Sequence, residues 1–305
     1  MGVPSLGVLR ARARYLYRFT LVPRLLLLLP SPWAYRVGGV LGRFRYRRHR
    51  RLLRPHAAEM RARLGATPEQ VERWLERCCE LAVSEDLDWP LFRRMEKEGT
   101  GAVMEVVGRE HLDEALAHGR GAMLCSGHFF GFFTAMAAFS LLGYPVNVVG
   151  FFRDTLKEGG DQWYPERRHA VLERLGLRLL KQVPGGGAAE RAISTLRANE
   201  IVLTAFDHTT VKRNVEVPFL GAPGFFPSGP AWLAQEAGAP LVFFQVRRPE
   251  RWLPEVLEIG PPFWVADDVE AAVRHMVASL EAAILADPPS WGPWLYPRKF
   301  VWSPP

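Results

Sequence analysis

The 305-residue sequence predicts an α/β fold, with a mainly parallel central sheet flanked by helices and an N-terminal membrane-associating helical segment. Short, almost continuous apolar runs rich in β-branched and aromatic residues recur along the chain. Such runs suit strands covered on both faces. Stretches of helical periodicity lie between them, and this alternation argues for parallel strands joined by helical crossovers. A third observation sets the beginning of the chain apart. Residues 1–60 hold thirteen arginines and one acid, Glu59, a balance of +12 against +7 for the whole chain. The remainder sums to −5, so basicity belongs to this segment and not to the sheet. Two units follow from that contrast, a basic and apolar segment over 1–60 and an α/β domain over 61–305.

Apolar residues make up 48% of the chain, enough to build a large core and too many for a disordered one. The three cysteines, Cys78, Cys79 and Cys125, are too few for a disulfide framework, and no Cys/His spacing resembles a zinc site. A reducing, cytosol-facing location is the default for such a chain.

Along the first segment, Leu25 to Leu29 form a leucine run broken by Pro23, Arg24, Pro30 and Pro32. A spanning helix needs ~20 apolar residues, so the run is too short to cross a bilayer. No small-residue cleavage site follows it, which argues against a secretory signal. It suits a segment lying in the membrane interface. Trp33, Tyr35 and Tyr46 would sit at headgroup depth, and seven arginines from Arg43 to Arg54 would meet anionic lipid. Nucleic acid is not expected as a partner, because phosphate binding has no use for the leucine run.

A helix is predicted over 67–85, with Thr67 as N-cap and Val71, Trp74, Leu75, Cys78 and Leu81 at helical spacing. Strands are predicted over 102–108, 122–126, 146–152, 201–207 and 241–246. "KQVPGGGAAE" reads as a loop feeding a helix, and its three glycines match neither a Walker A loop nor a dinucleotide fingerprint. "SGPAWLAQEAG" predicts a helix with Ser228 as N-cap, Pro230 near its first turn and Gly238 as C-cap. "DDVEAAVRHMVASLEAAILAD" predicts a long late helix.

"AMLCSGHFFGFF" places His128 just past the carboxyl end of a predicted strand, where sites form in such sheets. It is also expected at the start of a helix. Gly127 and Gly131 would permit close approach of a ligand to the backbone. Phe129, Phe130, Phe132 and Phe133 would make an apolar wall against which a base could work beside a hydrocarbon. Burial there would favour the neutral ring, and a nearby carboxylate would oppose that. Cys125 reads as a strand-end residue and not as a nucleophile.

In order and spacing, several blocks resemble the bacterial lipid A late acyltransferase family, the lauroyl and myristoyl transferases of the lysophospholipid acyltransferase superfamily. The blocks are "SGHFFG", "GFFRD", "AFDHTTVKRNVEVPFLG", "FPSGPAWLAQE", "GAPLVFFQVRR" and the closing "WGPWLYPRKFVW". The resemblance implies direct acyl transfer at the cytoplasmic face of the bacterial inner membrane. A histidine deprotonates a lipid acceptor, which attacks the thioester of an acyl carrier protein or coenzyme A. The transfer needs no covalent enzyme intermediate, and neither cofactor nor metal is expected. By its block, Arg153 would bind acceptor phosphate. Lys212 and Arg213 would bind phosphate or the acidic carrier, and the helix start at Ser228 would help hold an oxyanion or phosphate.

One departure stands out. The family carries an acid five residues after the histidine, and that position here is Phe133. Another acid must orient His128, with Asp207 favoured because it ends a predicted strand, and Glu216 as the alternative. Otherwise a backbone carbonyl orients the ring, or the protein is a non-catalytic relative that binds lipid or an acyl carrier.

Overall fold

The computed structural model of the chain describes residues 21, 25, 28, 31–149, 170–180, 186–209, 213–248, 254–295 and 301–302. The strands are β1 (Met104–Val107), β2 (Ala122–Ser126), β3 (Val146–Val149), β4 (Arg178–Leu180), β5 (Ile201–Ala205), β6 (Asn214–Phe219), β7 (Ala222–Pro227), β8 (Pro240–Arg247) and β9 (Glu255–Trp264). The helices are α1 (Ser31–His49), α2 (Arg54–Leu64), α3 (Pro68–Glu98), α4 (Arg109–Ala117), α5 (Phe132–Leu141), α6 (Ala188–Arg197), α7 (Gly229–Ala237) and α8 (Val269–Ala286). Seven strands form one sheet in the order β1-β9-β8-β2-β5-β3-β4, and β6 and β7 form a separate hairpin. Among the described residues of the large sheet, only the β8–β9 pairing is antiparallel.

The continuous apolar strands are explained by a core on each face. Along β2, Met123 and Cys125 join one cluster with α3, α7 and α8, while Ala122 and Leu124 join another with α4 and α5. All five residues of β2 are buried. The helix expected over 67–85 extends to Glu98. Its N-terminus is fixed by a capping box in which Thr67 and Gln70 exchange bonds. Asp268 caps α8 by accepting from the Ala271 amide, and Gly238 ends α7 in the left-handed conformation. The strands β4, β6, β7 and β9 are not expected from the sequence. Prolines in three of them (Pro218, Pro223, Pro227, Pro261, Pro262) argue against strands on local rules. The remainder of the strand expected over 146–152 lies outside the described residues.

Among the described residues no helix is long and apolar enough to cross a membrane. α1 packs on α3 through glycine. A Cβ on Gly42 would lie 2.4 Å from Glu80 Cα and 2.8 Å from the Cys79 carbonyl oxygen. Arg43 reaches the buried Glu80 at 2.8 Å beside that contact. Tyr46, expected at headgroup depth, is instead buried in the first core cluster, because its side of α1 faces α3. Trp33, Val40, Leu41 and Phe44 stay exposed.

Gly42→Ala should therefore destabilise the fold by ~1–3 kcal/mol, since backbone and not a movable side-chain tip fills the space. Gly229→Ala, which meets nothing within 4 Å, should change stability by less than ~0.5 kcal/mol. Urea unfolding of the two variants checks the contrast. Equal effects would mean that α1 does not need its close contact with α3.

Candidate active site

β2 and β5 are parallel neighbours in register, with Ser126 opposite Ala205. Two residues past each of these come His128 and Asp207, so equal offsets beyond paired residues bring the two side by side. The Phe206 amide donates to the Ser126 carbonyl at 3.0 Å and carries the pairing one step further. His128 Nδ1 meets Asp207 Oδ1 in a short contact. The His128 amide donates to Oδ2 of the same carboxylate at 2.7 Å.

Asp207 is fully buried, and its carboxylate has a further donor. Trp291 Nε1 donates to Oδ2 at 2.8 Å. Burial pushes the Asp207 carboxyl up. The His128 ring, the two bonds from His128 and the Trp291 bond together outweigh that push and hold it below the usual carboxylate value. His128 differs from its neighbours. From Gly121 to Phe139 it alone is exposed, with 45% of its side chain accessible, and only Phe133 is intermediate. A buried carboxylate thus grips one ring nitrogen of a histidine open to solvent.

The local backbone departs from expectation in instructive ways. His128 lies in a turn before α5 and not at the helix start; the Phe129 amide bonds the Gly127 carbonyl, and the Phe132 amide bonds that of Phe129. Gly127 makes room for protein and not for ligand. A Cβ there would lie 2.6 Å from Leu280 Cδ1 and 3.2 Å from Asp207 Oδ2. Gly131 has φ +92°, and a Cβ on it would lie 2.5 Å from Glu255 Oε1. That carboxylate belongs to a buried ion pair with Arg248. The phenylalanines do not form a single wall. Phe129 and Phe130 are in the first core cluster, Phe132 is in the second, and Phe133 packs beside the second. The expected burial of His128 among them is therefore wrong.

Glu216 sits exposed on β6, opposite Phe225, in the separate hairpin; the carboxylate at His128 is that of Asp207. Ser228 occupies the N-cap position of α7 but makes no side-chain cap bond, since its backbone is in the helical region. Its amide donates to the Arg213 carbonyl at 3.1 Å. Arg213 is exposed there. Arg153 and Lys212 lie outside the described residues. Burial raises the Cys125 thiol, which is fully buried, and this suits a strand-end residue.

Two site residues escaped sequence reasoning. Trp291 reaches the site from a C-terminal segment that is stitched to the His128 turn. The Gly292 amide donates to the His128 carbonyl at 2.9 Å, and the Phe130 amide donates to that of Ser290 at 2.9 Å. The signal was present in "SWGPW": a buried tryptophan needs a partner for its indole N–H. His208 follows Asp207 directly, and its ring centroid is 6.1 Å from that of His128. Burial lowers its pKa, against the pull of Asp207 and with the push of His128. Among the described residues no group of acids, histidines and cysteines could hold a metal ion.

The family model for bacterial lipid A biosynthesis acyltransferases matches residues 4–299, and the chain belongs to that family. Two curated relatives are phosphatidylinositol mannoside acyltransferases of Mycobacterium tuberculosis. The one from strain ATCC 25618 / H37Rv is 33% identical over 136 residues, and the one from strain CDC 1551 / Oshkosh is 34% identical over 137. Each match covers 44% of this chain and 41% of the relative, so it spans less than half the length of either protein.

The depressed Asp207 carboxyl has a consequence for stability. A group whose folded pKa lies below its unfolded value adds stability that is present above the unfolded value and lost as pH falls through the folded one. Urea unfolding of the protein and of Asp207→Asn should show the variant less stable at about pH 6, with the gap narrowing as pH falls through and below the carboxylate range. A gap that does not change with pH would mean that folding leaves the carboxyl at its unfolded pKa, and one that widens as pH falls would mean that the folded carboxyl is not ionised.

Proposed function

We propose that the protein is a membrane-associated acyltransferase that moves a fatty acyl group from an acyl thioester to a hydroxyl or amine of a lipid acceptor. His128 is the general base and Asp207 positions it. The observation that carries this reading is the paired contact between His128 and the buried Asp207 carboxylate at the carboxyl ends of β2 and β5. With Nδ1–H directed at Asp207, the ring nitrogen that takes a proton is Nε2. Nε2 removes the proton of the acceptor as its oxygen or nitrogen attacks the thioester carbonyl. The new acyl bond forms, the carbon–sulfur bond breaks, and the imidazolium returns the proton to the leaving thiolate. The products are an acylated lipid and a free thiol. Asp207 stabilises the transient imidazolium without taking its proton, as carboxylates do in other His–Asp pairs.

The thioester is carried by acyl carrier protein or coenzyme A. A mannosylated phosphatidylinositol is the first acceptor class to test, in view of the two mycobacterial relatives. The non-catalytic reading rested on Phe133 at the place of the family's acid; the Asp207 contact takes away its main ground. Membrane association is assigned to residues 1–60. In that segment the exposed Trp33, Val40 and Leu41 of α1 precede the arginine cluster, and the exposed Phe44 lies at its start. The cytoplasmic face of the inner membrane is the location proposed.

Incubating purified protein with acyl thioesters and membrane lipid extract, followed by mass spectrometry, tests the activity. His128→Ala should abolish new acylated lipid. Asp207→Asn should lower kcat by roughly 30-fold or more with little change in KM, and Asp207→Glu should restore part of the loss. Unchanged lipid in the presence of tight lipid binding would favour the non-catalytic relative. Trp33→Ser with Phe44→Ser should weaken co-sedimentation with anionic vesicles, and added salt should weaken that of the parent protein. Binding indifferent to both changes would remove the N-terminal segment from this role.

A further inference from the structure

A cavity of about 630 Å³ opens between α1, α2 and α3, far along the chain from the His128 turn. Its volume lies within the range of small-molecule sites. Four arginines line it: Arg50, Arg51, Arg54 and Arg61. The one acid among the lining residues is Glu72, which pairs with Arg50 at 2.7 Å. The lining therefore carries a net charge of +3. All four arginines are exposed, whereas Tyr46, Val71 and Leu75 at the floor are buried. An apolar floor under a cationic rim matches an amphiphile with an anionic head.

We infer that this cavity binds the phosphate headgroup of a membrane lipid, with guanidinium forks on the phosphate and the glycerol and first acyl carbons over the Tyr46, Val71 and Leu75 floor. Arginine suits this because its planar donors meet phosphate oxygens in pairs. The buried apolar floor beneath the arginines argues for an amphiphile over an acidic protein surface, which would bring no hydrocarbon to cover Tyr46, Val71 and Leu75. The surroundings argue for lipid over free phosphate. Trp33, Val40, Leu41 and Phe44 are exposed on α1, on the side away from its contact with α3. When that face lies in a bilayer, the arginines at the end of α1 and the start of α2 come to headgroup depth. The inference rests on the membrane association proposed above but asks for more, a saturable site in place of diffuse attraction.

The cavity also adjoins the active-site framework. His56 of α2 donates from Nδ1 to the Trp294 carbonyl at 2.9 Å. The Trp294 ring packs edge-on against Trp291, with centroids 5.0 Å apart. Trp291 is the residue that donates to Asp207. A lipid held by α2 would thus fix the catalytic edge relative to the membrane surface.

The test uses the full chain and calorimetry. The probes are dihexanoyl phosphatidic acid below its micelle concentration, dihexanoyl phosphatidylcholine and inorganic phosphate. The parent protein should bind phosphatidic acid saturably with one-to-one stoichiometry, and the other two at least ~10-fold more weakly. The double variant Arg54→Gln/Arg61→Gln should lose at least ~10-fold in affinity for phosphatidic acid. Arg47→Gln/Arg48→Gln, which removes the same charge from outside this cavity, should stay within ~3-fold of the parent. All four side chains are exposed, so both variants should fold. Equal losses in the two variants, or no saturable binding, would overturn the site in favour of diffuse charge. Phosphate binding as tightly as phosphatidic acid would make it a free-anion site. Weakened binding of an acidic carrier protein by Arg54→Gln/Arg61→Gln, without any soluble-lipid binding, would reassign it to the carrier. Soluble-lipid binding reports on the cavity even if vesicle association through α1 fails, so the two ideas fall separately.

Discussion

Asp207 is a charged carboxylate with no exposure to solvent, and much of the molecule around the site is arranged to make that tolerable. Moving an ion out of water costs several kcal/mol even after the protein relaxes, unless partners compensate. Here the compensation is two bonds from His128 and one from Trp291. Each partner brings a constraint. The His128 amide reaches the carboxylate only because the chain turns sharply after β2, and that turn brings Gly127 against Oδ2 at a distance that leaves little room for a Cβ. Trp291 reaches it because the segment after α8 lies against the same turn, bonded through Gly292 to His128 and through Ser290 to Phe130. A C-terminal segment thus closes the site formed by two central strands.

The sheet supplies the other half of the geometry. In a parallel pair, residues at equal offsets beyond paired positions emerge on the same edge. Ser126 opposite Ala205 therefore places His128 beside Asp207 with no insertion needed. The family's pattern of histidine and acid five residues apart keeps both on one local segment. In this chain the carboxylate that contacts His128 comes from the neighbouring strand, and position 133 is a packing position, with Phe133 edge-on against Phe132. Gly131, two residues before it, accommodates Glu255 of the buried Arg248 pair, so a second carboxylate already stands beside this segment. An acid at 133 would add a third charge close to an apolar cluster.

Much of this could be read from sequence, and the failures have physical causes. β2, β5 and β8 were legible because both of their faces are covered, which demands an unbroken apolar run of strand length. α3 and α8 were legible from their caps and periodicity. β6, β7 and β9 were not, because their prolines oppose strand formation on local grounds while pairing with neighbours overrides them. Asp207 was legible as a partner because a strand end is a position along the chain. Trp291 was not, because nothing in "SWGPW" specifies which of several buried groups its indole will meet. The glycines show the same limit. Gly127 and Gly131 were expected to let a ligand approach the backbone, but protein fills both places, and sequence does not say which of the two takes such space.

The contrast between the two members of the pair has a further implication. His128 is open to solvent on one side and held on the other by a group that solvent cannot reach. Salt and water screen a surface ion pair, which is then worth little. Burying only the acid avoids that loss while leaving the imidazole open to solvent. Burial of both would close the ring off from any ligand, and exposure of both would leave the ring orientation weakly fixed. Fixing it takes the backbone amide as well as the ring. The carboxylate binds the main chain of His128 through Oδ2 and the imidazole through Oδ1, so the side chain is clamped relative to its own backbone. The clamp depends on the β2–β5 register and on the C-terminal segment that brings Trp291.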